Sequence, residues 1–380
     1  MSRFASELER RRLNELFAEL CAISSPSRNE RAVADRVAAE LRALGLEVAE
    51  DQAGEAIGAN AGNLLVRIPG RSERTIMLAA HLDTVDDDGI SIEPILEEGV
   101  WTNANDTILG ADNKAAVAVL LAVAHRVAIE GSPVGLELLF TVCEEDGLQG
   151  AAAFDVTQLH SEFGFVFDHA SPIGEVIVAS PTYFFLEAEF RGKAAHAGIR
   201  PEAGSNAIVA AAKAIESLQW GRIDPETTAN VGGIEGGGPS TNVVADRCVL
   251  RAETRSLAPA RAETQLTEMI DRCQDAANRP ECSCDLDVTT HKHFDAYRHA
   301  ANATQVLVAE AALRECGIEP LRVQTGGGSD ANAFEAAGFP CTNLANGTER
   351  NHEPTESVSA AALEQMLDVT FALLRVAAET

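Results

Sequence analysis

The sequence predicts an α/β protein interrupted by a smaller α+β insertion, and three observations carry this reading. Apolar runs without strict alternation, at 63–68, 75–80, 135–142 and 163–168, are separated by helical segments, as the strands of a buried central sheet are. Near residue 181 the texture changes, because Phe184–Phe190 begins to alternate apolar and polar residues, the pattern of a half-exposed strand. After about Phe294 the first texture returns. The expected boundaries are 1–180 with 294–380 for the discontinuous main domain and 181–293 for the insertion.

Taken in order, Val33, Val37, Leu41 and Leu44 fall at helical spacing, and Gly45 stops that helix at a plausible position just past its end. The helix from about Asp112 to Val127 contains the longest uninterrupted apolar run, Ala115–Ala124, half of the roughly 20 residues that span a bilayer. It reads as a buried helix. Within the insertion a helix over 206–218 precedes Gly-punctuated strands at 229–234 and 247–255 and a helix over 261–276. Two helices on one antiparallel sheet follow from that order. The closing segment carries helices at 304–316, 331–337 and 360–378.

A chain of 380 residues fits two domains at roughly 100–200 residues each. Arg and Lys total 30 against 58 Asp and Glu, a net charge of −28, which repels phosphate backbones and anionic lipid heads. Nucleic-acid and membrane partners are therefore excluded. The first dozen residues, MSRFASELERRR, lack the apolar core of a secretory signal, so a cytoplasmic protein is expected. Eight scattered Cys read as reduced buried thiols. Cys282-x-Cys284 has no second Cys or His pair at zinc-finger spacing.

Five segments place His and carboxylates at strand ends or helix starts, where open α/β sheets put their sites. In AAHLDTV, His81 and Asp83 share a strand face, and an Asp beside a metal-binding His can fix its tautomer. In LGADNK, Asp112 opens the apolar helix as either a cap or a ligand. In TVCEEDGLQG three acids end a buried strand, and adjacent Glu144 and Glu145 can divide base and ligand roles. FVFDH ends in Asp168, and NHEPTE presents His352 ahead of the last helix. Each is weak alone. Two His with three carboxylates make a hard, oxygen-rich set suited to two divalent ions, zinc being favoured by the imidazoles.

Together these motifs resemble the dinuclear zinc exopeptidases, the family of peptidase T, carboxypeptidase G, aminoacylase and succinyl-diaminopimelate desuccinylase. The resemblance covers almost the whole chain, from His81 through His352. It implies a mixed central sheet with helices on both faces and an inserted lid that also dimerises. It implies two metal ions per subunit, Zn2+ foremost with Co2+ or Mn2+ as alternatives. His81, Asp112, Glu145, Asp168 and His352 are then the ligands, Asp112 bridging, with Asp83 orienting His81 and Glu144 as general base. The bond after the bridging Asp is cis in relatives, which implies a cis Asp112–Asn113 peptide.

In the insertion, GKAAHAG resembles the lid segment whose His stabilises an oxyanion, which assigns that role to His196. Asn242 and Arg255 match lid positions that contact the substrate carbonyl and carboxylate, and Gly327, Gly328 and Ser329 match a Gly-rich loop lining the substrate pocket. TGGGSDANAF with NHEPTE is most similar to the peptidase T-like branch, which implies a tripeptide aminopeptidase. Peptidase T proper has an Arg where this chain has Gly326, so carboxypeptidase G-like or N-acyl-amino-acid hydrolysis stays open. The substrate expected is a short peptide or an N-acyl amino acid, and a homodimer through the lid is implied. An inactive binding homologue is the remote alternative.

Overall fold

The computed structural model describes residues 3–380, in two compact units. The first runs to Ala179 and takes up His299–Thr325 and Ser329–Thr380. The second comprises Ser180–Arg298 and Gly326–Gly328.

The first unit is built on a mixed sheet. Its strands lie in the order Val48–Glu50, Leu64–Ile68, Gly135–Thr141, Thr75–His81, Phe163–His169, Cys341–Ala345 and Glu175–Ser180, with Leu321–Gln324 beside the last. The four central strands run parallel to one another, and antiparallel pairings flank them on both sides. Parallel pairing needs crossovers on the sheet faces, so these strands are buried on both sides; Gly135–Thr141 has no exposed residue. Ile76, Leu78 and Ala80 join the main core with the long helices, while Met77 points the other way, toward Gly164 and Phe339.

The helix Ala111–Glu130 is the centre of that core. Every residue from Ala111 through Leu121 is buried. Its Ala and Val positions let the helices Glu7–Cys21 and Ala360–Glu379 close on it. Glu7–Cys21 starts at a capping box in which Ser6 and Glu9 satisfy each other's end of the helix, and it buries Leu13, Phe17, Leu20 and Cys21. The charged stretch ELERRR conceals this amphipathic face in the sequence.

The second unit is an antiparallel sheet in the order Gly221–Asp224, Thr227–Gly236, Arg247–Ser256, Thr182–Arg191 and Asp285–Phe294. The helices Ala207–Glu216 and Pro259–Ala277 pack on it and on each other, around Leu186, Phe190, Leu250 and Met269. Asp285–Phe294 is a strand the sequence does not announce, because DLDVTTHKHF is mostly exposed. Cys282 and Cys284 are buried free thiols, and no metal-holding group includes them among the described residues. No described helix is long and apolar enough to cross a membrane.

Candidate metal centre

The C-terminal ends of the central parallel strands bring most of the expected residues of the first unit together. His81 ends one strand, Asp168 stands next to last on its neighbour, and Glu144 and Glu145 follow the strand Gly135–Thr141. His81 Nδ1 lies 3.0 Å from the Asp83 carbonyl and 3.4 Å from the Asp83 carboxylate. A carbonyl only accepts, so Nδ1 carries a proton and Nε2 is the nitrogen turned toward the acids.

That nitrogen lies 3.3 Å from Asp112 Oδ1 and 3.6 Å from Asp168 Oδ1. The other carboxylate oxygen of Asp112 lies 3.4 Å from His352 Nε2, which is itself 2.9 Å from Glu145 Oε1. Asp112 therefore stands between the two imidazoles. Donor atoms of His81, Glu144 and Asp168 lie within 4.8 Å of one another, and so do those of His81, Asp112 and Glu145.

Supporting contacts fix each group. Asp83 is wholly buried, accepting the amides of Glu144 and Glu145 at 3.0 and 3.1 Å and the Ser27 hydroxyl at 2.6 Å. The Asn343 side chain brackets the Asp168 backbone, accepting its N–H and donating to its carbonyl, both at 2.9 Å. Asn351 donates to Asp112 Oδ2 at 2.7 Å. Asp112 follows Gly110, whose φ of 72° admits the turn into the helix, and the Asp112–Asn113 peptide is cis. The Asn113 side-chain amide is buried without a hydrogen-bond partner among the described residues.

The electrostatics test whether cations fit. Burial, with the charge of Asp168 next, holds Glu144 well above the usual carboxylate range. Burial and Asp112 do the same to Asp168. Against its own burial, hydrogen bonds to Asp112, Asp168 and Asp83 raise His81 well above the ordinary imidazole value. Contacts with Asp112 and Glu145 push His352 up to about 10. These are acids crowded together with too little positive charge. Divalent ions bound by neutral imidazoles and ionised carboxylates supply what the cluster lacks, so the donor set fits them.

The remaining sequence candidates lie apart from this cluster in the chain. Ser329 forms a capping box with Asn332, and its N–H donates to Asn332 Oδ1 at 3.1 Å. In the second unit His196 is exposed and its Nδ1 accepts the Gly198 N–H at 3.2 Å. Asn242 is exposed, and its carbonyl accepts the Ala197 N–H at 2.9 Å. Arg255 forks onto Glu253 at 3.1 Å for both contacts, reaches the Gly326 carbonyl at 3.1 Å, and lies 4.2 Å over the Tyr183 ring. The Gly327 carbonyl accepts from Ser180 at 2.8 Å, and Gly328 packs so closely on Phe294 that a Cβ there would require the ring to move.

Sequence reading does not single out Glu356, Asn351, Asn343, Ser27 or Glu30. Glu356 and Asn351 lie inside the NHEPTE segment, where any of the polar residues could serve. The others act on partners far away in the chain.

Comparisons with known proteins bear on the family. The M20 peptidase dimerisation domain matches residues 183–281, and peptidase family M28 matches residues 63–174. The uncharacterized protein YqjE of Bacillus subtilis is 36% identical over 372 residues, covering 97% of this chain and 99% of that one. The aminopeptidase PepT of Bacillus cereus superposes with a TM-score of 0.87 at 35% identity, over 99% of this chain and 100% of the other. A tripeptidase of Staphylococcus aureus gives a TM-score of 0.92 at 32% identity, over 98% and 99% of the two chains. With relatives this similar along their whole length, and a carboxylate–imidazole cluster at the strand ends, the chain belongs to the M20 metallopeptidases, on their peptidase T-like branch.

Proposed function

We propose that this chain is a zinc-dependent exopeptidase that removes the amino-terminal residue of short peptides, tripeptides foremost. The observation that carries the reading is the short distance from Asp112 to both His81 and His352, with Glu144 and Glu145 at the adjoining strand end. The likeness to the Bacillus cereus aminopeptidase and the Staphylococcus aureus tripeptidase supports the substrate class and the end attacked.

His81, Asp112 and Asp168 would hold one ion, and Asp112, Glu145 and His352 the other. When bound, the two ions would supply Lewis acidity to an attacking water and to the scissile carbonyl. Glu144 would accept the proton of that water on its carboxylate and return it to the departing amine nitrogen. Asp83 would keep His81 in the tautomer whose Nε2 is free to ligate. Because His196 Nδ1 is an acceptor, its Nε2–H would be the donor available to an oxyanion. Asn242 would contact the substrate carbonyl, and Arg255 would offer its guanidinium to a substrate carboxylate in place of Glu253. Gly327, Gly328 and Ser329 would line the substrate pocket. The dimerisation-domain match over 183–281 supports a homodimer, which light scattering would measure.

Gly326, standing where peptidase T proper has Arg, favours keeping a carboxypeptidase G-like or N-acyl-amino-acid amidohydrolase as the second reading. The test is mass spectrometry of products from zinc-loaded protein given dipeptides, tripeptides, longer peptides, N-acyl amino acids and C-terminal glutamate conjugates. Release of the first residue from tripeptides is expected. Release of a C-terminal residue or an acyl group would move the enzyme to the second reading. No hydrolysis with both ions bound would leave a binding homologue.

A further inference from the structure

The turn that carries Glu144 and Glu145 does not hold itself. Cys143 has a φ of 52°, a left-handed conformation that a residue with a Cβ adopts only when its surroundings impose it. Three successive amides of this turn donate to buried carboxylates. Those of Glu144 and Glu145 go to Asp83, at 3.0 and 3.1 Å. That of Cys143 goes to Glu30 Oε1 at 3.1 Å, and the Cys143 thiol donates to the same oxygen at 3.2 Å.

Glu30 is wholly buried and lies 113 residues earlier in the chain. It immediately precedes the helix Arg31–Ala43, yet its side chain makes no capping bond to that helix. The same Oε1 also accepts the Arg28 N–H, at 2.8 Å. The short segment around it also meets the Asp83 carboxylate that holds the turn and the residue just past the turn. Ser27 donates to Asp83 at 2.6 Å, and Arg28 pairs with Asp146 at 2.7 Å.

We infer that Glu30 is a positioning residue for the proposed general base, setting the backbone of the Cys143–Glu145 turn so that the Glu144 carboxylate is aimed at the metal cluster. This rests on the reading of Glu144 as base. A buried carboxylate costs desolvation, and one that caps no helix and forms no ion pair among the described residues is retained for what it holds. Here that is one amide and one thiol of a turn whose own backbone preference lies elsewhere. Glu30 touches neither ion nor substrate, so its effect should appear in the rate of the chemical step rather than in substrate binding.

The test compares Glu30→Ala, Glu30→Gln and Glu30→Asp in the zinc-loaded full chain, by hydrogen exchange of the peptide spanning 143–146 and by kcat and KM on trialanine. Glu30→Gln keeps the acceptor oxygen and should keep both exchange protection and kcat within about threefold. Glu30→Ala removes it and should lose protection in this segment, with kcat falling up to about 10²-fold at unchanged KM, the scale of a 1 Å misplacement. Glu30→Asp retracts the oxygen and should fall between them, which decides the matter if the Ala variant does not fold. Unchanged exchange and kcat in Glu30→Ala or Glu30→Asp would overturn the inference. So would a loss that Gln does not recover, or one confined to KM. If wild-type protein does not cleave trialanine, the functional reading fails on that substrate, while the exchange data still decide whether Glu30 holds the turn.

Discussion

Glu356 Oε1 accepts the backbone N–H of Asp112 at 2.8 Å. Its other oxygen takes the amides of Leu109 and Gly110, at 2.9 and 2.7 Å. One carboxylate thus fixes the backbone on which the proposed bridging ligand is mounted, from a position four residues after His352. Partners that orient ligands without touching the ion set affinity almost as strongly as the ligands do. Glu356→Gln should weaken metal binding by about 10–100-fold, read by competition with a chromophoric chelator. Unchanged affinity would assign Glu356 to folding alone.

Glu144 is the one acid of the cluster with a proposed proton-transfer role. Replacing it with Gln keeps the volume and removes the base, so kcat should fall by about 10²–10⁴-fold, with both ions still bound by elemental analysis. Turnover near the wild-type level would remove Glu144 from the mechanism.

The crowding of Asp112, Asp168, Glu144 and Glu145 makes the folded chain a better host for dications than the unfolded one. An ion at a hundred times its Kd adds about 2.7 kcal/mol to stability. Chelation should therefore lower Tm, and zinc should restore it in a concentration-dependent way, both seen by scanning calorimetry. A Tm indifferent to chelator would show that the acids do not act as a cation site.

Away from the site, Arg126 is buried over the Phe371 ring at 3.6 Å and donates to both oxygens of Glu9, at 2.6 and 2.5 Å. Although burial opposes it, bonds from Arg126 and Ser6 bring the Glu9 carboxyl down to about 2. A depressed carboxyl stabilises the fold fully above its unfolded value near 4.5 and loses that contribution as pH falls toward 2. The Tm gap between wild type and Glu9→Gln should hold constant above about pH 5 and narrow progressively from there down to about pH 2. A gap independent of pH would mean packing, not charge, sets it.

Much of the first unit was legible because most of the proposed site residues adjoin apolar runs. His81, Glu144 and Asp168 each end or follow a buried strand, and Asp112 opens the apolar helix, so the alternation of texture and charge marks them. The strand Asp285–Phe294 was not legible, since an exposed strand offers no run to detect. Glu30 and Glu356 were hidden for another reason. Both act on backbone amides, Glu30 across 113 residues and Glu356 across 244, and an amide looks the same in every residue of a sequence.

The helix Ala111–Glu130 offers almost no free face. From Ala111 to Val127 only Ala122 and His125 are even half-exposed, whereas Arg31–Ala43 buries a single stripe of Val33, Ala34, Val37, Ala38 and Leu41. Under random substitution the two helices should therefore wear differently. The first should register as a solid block of intolerance some seventeen positions long, and the second as a beat of three and four. The segment that delivers Asp112 has almost nowhere to absorb a change of volume, so descendants of this sequence can vary their substrates far more easily than they can rebuild the rod behind their metal.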